Sequence, residues 1–345
     1  MKTGLLPMAL AGTLLVAVLG ALLDWPAFLR SWLAVTLTWG LVPVGAMVVL
    51  LTHGLTGGRW GDASLWLWRA QLATLPLLLA AMVPLVFGLD VLFPWTAAPE
   101  TLAEVVQNKL AYLNEPFFLA RSLFYGAVWL LLAWWLGAWR HRPQRALHAP
   151  ALILWLLVLT FFGFDWLLSL EPRFYSDVYG LMLAAGIIAA ALAAGLAMAG
   201  DKLRPDLRRD IANLWLSVLL GWALLAFSQY IIIWSANLPD EIGWYLHRRE
   251  GLWQPVSVAS LVLFFLVPFT ILLSGRAKGS EGWLRGAALI CLAGHGLQMH
   301  WLVLPAFGQW QPLQSWLTPL LLIGVGACYA ALAGRRSRSE EVARG

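Results

Sequence analysis

Ten stretches of about twenty mostly apolar residues account for most of this chain and constrain its fold more than anything else in it. They run near 5–23, 32–52, 66–92, 116–139, 150–169, 178–199, 211–235, 253–274, 283–306 and 314–333. About 20 apolar residues in a helix cross the hydrocarbon core of a bilayer. Backbone polar groups at that depth must bond within their own segment, which selects helices. The expected fold class is therefore an all-α integral membrane protein of about ten transmembrane helices. Composition agrees, with 61% hydrophobic and 12% charged residues and a mean hydropathy of +0.74 over 345 residues. A soluble domain carries about twice that share of charge. The first stretch could also be read as a signal peptide. One lysine, Lys2, precedes it and no soluble domain follows it, which favours a retained helix. The expectation is one polytopic domain over 1–345, with residues 334–345 as a cytoplasmic tail.

Charge gives the orientation. Of the 23 Lys and Arg residues, only Arg30, Lys109, Arg121, Arg173, Arg248 and Arg249 follow odd-numbered stretches, and the rest fall at the termini or after even-numbered ones. Lys and Arg are retained on the cytoplasmic side during insertion. Both termini are thus expected in the cytoplasm, with the loops after the odd spans outward. This bias accounts for the net charge of +5 and calls for no nucleic acid. The 22 tryptophans suit the membrane–water boundary. Cys291 and Cys328 lie inside apolar runs, and no CxxC or CxxCH motif occurs, so covalent haem, iron–sulfur and structural zinc are not indicated. The sixth stretch, rich in Ala and Gly, is expected to be a tightly packed central helix. The outward loop near 93–115 is expected to hold a short interfacial helix.

Two outward stretches carry the unusual residues. The first is "FDWLLSLEPRFYSDVYG", residues 164–180. Asp165 and Ser169 share a helix face, and Pro172 is expected to end the fifth helix. A carboxylate near the membrane boundary is costly without a partner. It is either bonded to a neighbouring helix or acts as a protonatable group beside a pocket or proton exit. The second is "FSQYIIIWSANLPDEIGWYLHRR", residues 227–249. Asn237 is expected to cap a short helix with Pro239 in its first turn. Asp240 and Glu241 would complement its positive end, and Arg248 and Arg249 the other. Trp244 and Tyr245 would lie in the boundary, making the segment an amphipathic lid. Ser228, Gln229 and Asn237 need hydrogen-bond partners there, as helix contacts or ligand contacts.

Together these stretches resemble the ActF-type membrane subunit of alternative complex III, the quinol:electron-acceptor oxidoreductase of many bacteria, within the NrfD/polysulfide-reductase-like superfamily. The first match consists of Phe164, Asp165, Trp166, Ser169, Leu170, Pro172 and Gly180. The second consists of Phe227, Ser228, Gln229, Trp234, Asn237, Pro239, Glu241, Trp244, Tyr245, Leu246 and Arg248. The motifs span about a tenth of the chain, and Glu171 stands where the family more often has aspartate. The resemblance implies two four-helix bundles with peripheral helices, in the bacterial inner membrane. It implies no haem or metal in this subunit, and a quinone or quinol (menaquinone or ubiquinone) as the molecule it contacts. Implied partners are a sister NrfD-like membrane subunit, a periplasmic iron–sulfur subunit, haem-c subunits, a terminal oxidase and membrane lipid. The implied role is a membrane subunit that holds the complex in place and contributes a quinone contact or proton pathway.

The candidates for that contact or pathway are Asp165, Asp90, His295, Glu115, Ser228 and Gln229. Glu115 and Arg121 flank the start of the fourth helix and are expected to pair. The partner-facing candidates are Glu171, Arg173, Asp177, Asp240, Glu241, Trp244 and Arg248. His295 is an ionisable group deep in a span, which by default marks a pathway. A bis-histidine haem would need a partner facing His295 or His300, and neither His53 nor His247 is suitably placed. The alternatives are a paralogous membrane anchor of another NrfD-like redox complex and, as the competing class, a stand-alone transporter. It calls for broken helices at mid-membrane, which Pro43, Pro76, Pro84 and Pro268 permit.

Overall fold

The computed structural model describes residues 5–137, 145–308, 310 and 312–342. These residues are all-α, and ten helical spans are long and apolar enough to cross a membrane. In order they are Leu5–Leu23, Trp25–Thr56, Arg59–Val86, Glu115–Trp135, His148–Leu170, Tyr179–Lys202, Pro205–Ala236, Trp253–Leu273, Glu281–Phe307 and Gln314–Ser339. The chain is a multi-pass membrane protein.

The second to fifth spans close one four-helix bundle, and the sixth to ninth close another. The bundles meet where the second span packs on the sixth and ninth. The first and tenth spans pair with each other on the flank of the second. The sixth span is central, as its small residues suggest. A Cβ added at Gly45 of the second span would lie 2.2 Å from the Ile187 carbonyl oxygen of the sixth. The outer faces are apolar, with Leu22, Leu123, Ile153, Leu224 and Phe227 all exposed, as expected of surfaces solvated by lipid.

Several boundaries differ from the periodicity, each for a local reason. The second span starts seven residues early because Asp24 caps it, its Oδ1 accepting from the Ala27 amide at 2.9 Å. The third span is broken at Ala73–Thr74, between helices Arg59–Leu72 and Leu75–Val86. Pro76 cannot donate to the Leu72 carbonyl, and the Thr74 hydroxyl turns back to the Gln71 carbonyl at 2.7 Å. The fifth helix ends at Trp166, ahead of Pro172, and continues as a 3₁₀ turn over Leu168–Leu170. The eighth span contains a π turn, Val262–Leu266. Pro268 deprives the Phe264 carbonyl of its ordinary donor, and the Cys291 thiol of the ninth span approaches that oxygen at 3.5 Å. The loop after the third span holds two 3₁₀ turns, Pro94–Thr96 and Pro99–Thr101, and a short α-helix of one turn, Glu104–Gln107. Residues 334–342 continue the last helix.

Many tryptophans lie within the core instead of at the boundary. Trp32 donates to the Ala81 carbonyl, Trp39 to that of Leu322, and Trp155 to that of Val44. Each bond joins two spans through an indole N–H that would otherwise be buried unpaired.

Candidate functional site

Asp165 lies in the last turn of the fifth helix and is fully buried. Its partner is Arg121, on the fourth span. The guanidinium grips both carboxylate oxygens, Nε to Oδ2 at 2.8 Å and Nη2 to Oδ1 at 2.9 Å. Tyr125, one turn beyond Arg121 on the same face, donates its hydroxyl to Oδ2 at 2.7 Å. The third Arg121 nitrogen, Nη1, donates to the Tyr112 carbonyl at 2.9 Å. The guanidinium also lies over the Tyr112 and Phe117 rings, 3.7 and 4.3 Å from their centres. Such a bidentate, fully bonded pair meets the conditions under which a buried ion pair is tolerated.

The expected Glu115–Arg121 pair does not form. Glu115 is the first residue of its helix and is exposed. Asn114 caps that helix, accepting from the Phe117 amide at 3.1 Å. Arg121, nearly two turns further in, faces the fifth span instead. Asp90 is also exposed, so Asp165, Asp90 and Glu115 form no common channel. Ser169 donates its hydroxyl to the Asp165 carbonyl. The Trp166 indole donates to Ser122 Oγ at 3.1 Å.

Two openings flank the pair. A groove of about 380 Å³ between the third, fourth and fifth spans is lined by Leu78, Met82, Ser122, Tyr125, Trp129 and Trp166. Its wall is almost wholly apolar, and Tyr125 and Ser122 are its polar points. A cleft of about 450 Å³ opens at the end of the bundle, lined by Lys109, Tyr112, Leu168, Ser169, Phe174 and Ser176 among others. Tyr125 thus faces the groove and Tyr112 the cleft, with Arg121 and Asp165 between them. Burial pushes the Tyr112 hydroxyl up to about 12, and the nearby Asp165 carboxylate adds to the rise. Lys109 donates to the Pro172 carbonyl at 2.7 Å, and burial lowers its pKa.

A second polar cluster fixes the lid helix, Pro239–His247, over the second bundle. Glu171 receives His247 Nδ1 on one oxygen at 2.8 Å and Arg248 Nη1 on the other at 2.6 Å. Arg248 is only 1% exposed. It donates to the carbonyls of Trp244, Trp301 and Leu302 and lies 3.6 Å from the Trp244 ring centre. Burial lowers its pKa, which Glu171 opposes. Trp244 stacks on Phe174 at 4.8 Å. Glu241 accepts from Tyr175, holding that hydroxyl's pKa above its usual value. Gln229 accepts from Ser176 at 2.8 Å and donates to the Tyr245 hydroxyl at 3.2 Å.

This arrangement alters the expected partner surface. Arg248, Trp244 and Glu241 turn inward and are buried, because Arg248 pairs with Glu171, Glu241 accepts from Tyr175 and Trp244 stacks on Phe174. Glu171 is mostly covered, while Arg173 and Asp177 are exposed. The side chain of Asp240 lies outside the described residues. Asn237 caps the preceding helix, not the lid, taking a left-handed conformation at φ 50°. Ser228 is half-buried on the same span as Gln229.

His295 is buried between the bundles, where its Nε2 meets the Thr38 carbonyl of the second span at 3.0 Å. His300 bonds within its own helix, Nδ1 to the Gly296 carbonyl at 2.6 Å. Among the described residues no group of three or more His, Cys, Asp or Glu gathers as a metal site.

Tyr112, Tyr125, Lys109, Ser176 and His247 were not expected at either cluster. Of these only Tyr125 had a signal in the chain, its four-residue spacing from Arg121. No protein-family model matches the sequence, and no curated protein matches it.

Proposed function

We propose that this chain is the membrane subunit of a bacterial quinol:electron-acceptor oxidoreductase of the alternative complex III kind. In this reading the basic end faces the cytoplasm, and the Asp165 end faces outward toward iron–sulfur and haem-c partner subunits. The observation that carries the reading is the position of the Arg121–Asp165–Tyr125 cluster. It separates an apolar groove from a cleft at the end of the same bundle that carries more polar side chains, among them Lys109, Tyr112, Ser169 and Ser176.

A quinol is an apolar-tailed molecule whose oxidation releases two electrons and two protons. The groove suits the tail. Ser122 and Tyr125 supply hydroxyls for the head group. Arg121 holds Asp165 in one orientation so that a proton arriving through Tyr125 meets a fixed carboxylate. Tyr112 and Ser169 lie on the cleft side, where a proton would leave. Electrons pass to redox groups of the partner subunits.

Purification from native membranes in gentle detergent tests the assembly. Iron–sulfur and haem-c subunits should co-purify. Within that complex, Asp165→Asn should lower quinol-linked turnover while leaving subunit content unchanged. Normal turnover would return Asp165 to a purely structural role. The break in the third span and the π turn in the eighth favour the competing transporter reading. Both are one-turn irregularities, which weakens it. A lone, colourless protein that moves a solute across vesicles would establish it instead.

A further inference from the structure

We infer that a single water molecule is bound at the break in the third span, bridging Thr36 of the second span and Tyr329 of the tenth. Both hydroxyls are buried and neither has a hydrogen-bond partner among the described residues. Thr38, two residues on, bonds back to the Ala34 carbonyl at 2.8 Å, whereas Thr36 does not use that ordinary helical outlet. Both residues line one small void beside Thr74. The void leaves about 10 Å³ for the centre of a water-sized sphere, roughly the room one water molecule needs.

The chemistry of the wall fits water. A buried water is held by two to four polar partners. Thr36 and Tyr329 can each donate or accept. Thr74 already donates to Gln71, which leaves its oxygen free to accept. Trp39, also on the wall, spends its indole N–H on the Leu322 carbonyl and stacks on the Tyr329 ring at 5.7 Å. That stacking fixes where the phenol points. Buried hydroxyls are almost always satisfied, and irregular backbone at membrane depth is commonly repaired by ordered water.

The bridge would join three elements: the second span, the broken third span and the peripheral tenth. Leu78 lines both this void and the apolar groove. A Cβ at Gly40 would lie 2.2 Å from Leu78 Cδ1, so the second span leaves Leu78 no slack there. The water therefore also braces one wall of the groove, a consequence that holds whatever occupies the groove.

The test is a thermal-unfolding cycle on the full-length protein in detergent, with Thr36→Val, Tyr329→Phe and the double variant. If one water serves both hydroxyls, each single variant lowers the melting temperature, and the double variant loses scarcely more than one single. Additive losses, or single variants that melt at or above the wild type, would overturn the inference. Thr36→Ser keeps the hydroxyl and should melt like the wild type even if Thr36→Val folds poorly. Replacing sodium by choline should change nothing, and a sodium-dependent melting temperature would mean a bound cation instead. A map detailed enough to show waters should place one within hydrogen-bond reach of both oxygens, and an empty void there would equally refute it.

Discussion

At the scale of single residues, the Arg121–Asp165 pair sets the energetics of the site. Two charges buried together gain little net stability, but removing one partner leaves the other uncompensated, at a cost of about 3–5 kcal/mol. Arg121→Met should therefore destabilise the protein by that amount. Arg121→Met combined with Asp165→Leu should recover most of the loss, as read by thermal or denaturant unfolding. Equal losses in the single and double variants would show that the pair matters through its shape and not its charge. Tyr112 carries the pH dependence on the cleft side. Its folded pKa is raised to about 12 against an ordinary 10.0. The folded state therefore holds that proton more tightly than the unfolded state. Its contribution is complete below pH 10 and is lost as pH rises from 10 through 12. Ultraviolet titration should show a group of late-ionising tyrosines that loses one member in Tyr112→Phe. Loss of a normally ionising tyrosine instead would mean Tyr112 is solvated. The partner of Asp165 was not legible in the chain, since Arg121 is 44 residues away. Glu115 stands only six residues from Arg121, but helix geometry puts it on a different face and depth.

At the scale of elements, the spans were legible because lipid imposes length and polarity together. Their irregularities were only partly so. Pro76 and Pro268 announced trouble, yet whether a proline kinks, breaks or widens a helix depends on what satisfies the freed carbonyl. In the third span Thr74 makes a turn, and in the eighth a π turn brings Phe264 toward Cys291. The π turn has a counterpart in Gly294, where an added Cβ would lie 2.2 Å from the Phe264 backbone nitrogen. Backbone cannot step aside as a side chain can. Gly294→Ala should cost about 1–3 kcal/mol, the usual penalty of overpacking. Gly221, with nothing within 4 Å of its Cβ position, serves as the control. Gly221→Ala should be neutral or stabilising by up to about 1 kcal/mol. Comparable losses at both sites would place the effect in the helix backbone and not in the contact between spans. The lid helix shows the opposite limit on sequence reading. Its amphipathic pattern was visible, but which face turned inward was decided by Glu171, on a segment more than 60 residues earlier.

At the scale of the whole molecule, the positive charge at one end and the Asp165 cluster at the other make orientation the property on which function turns. The two bundles place the cluster, its cleft and the lid together because all three lie at ends of odd-numbered spans or the loops after them. The orientation expected from charge is open to a direct check, since the two native cysteines, Cys291 and Cys328, are buried at 0% and 1% exposure and should not react. Single reporter cysteines can then be added without removing them. Asp201→Cys lies in an exposed turn at the basic end, and Ala98→Cys in the exposed loop at the opposite end. A membrane-impermeant maleimide should label Ala98→Cys in right-side-out vesicles and Asp201→Cys only in inverted ones. The reverse pattern would put the Asp165 end in the cytoplasm. On the proposed function, protons released there could not contribute to a gradient across the membrane, and the proposed periplasmic iron–sulfur and haem-c partners could not reach it. Labelling of Asp201→Cys and Ala98→Cys from opposite sides, in either order, would confirm that an odd number of spans separates them, as the structure requires of the three between them, the fourth to sixth.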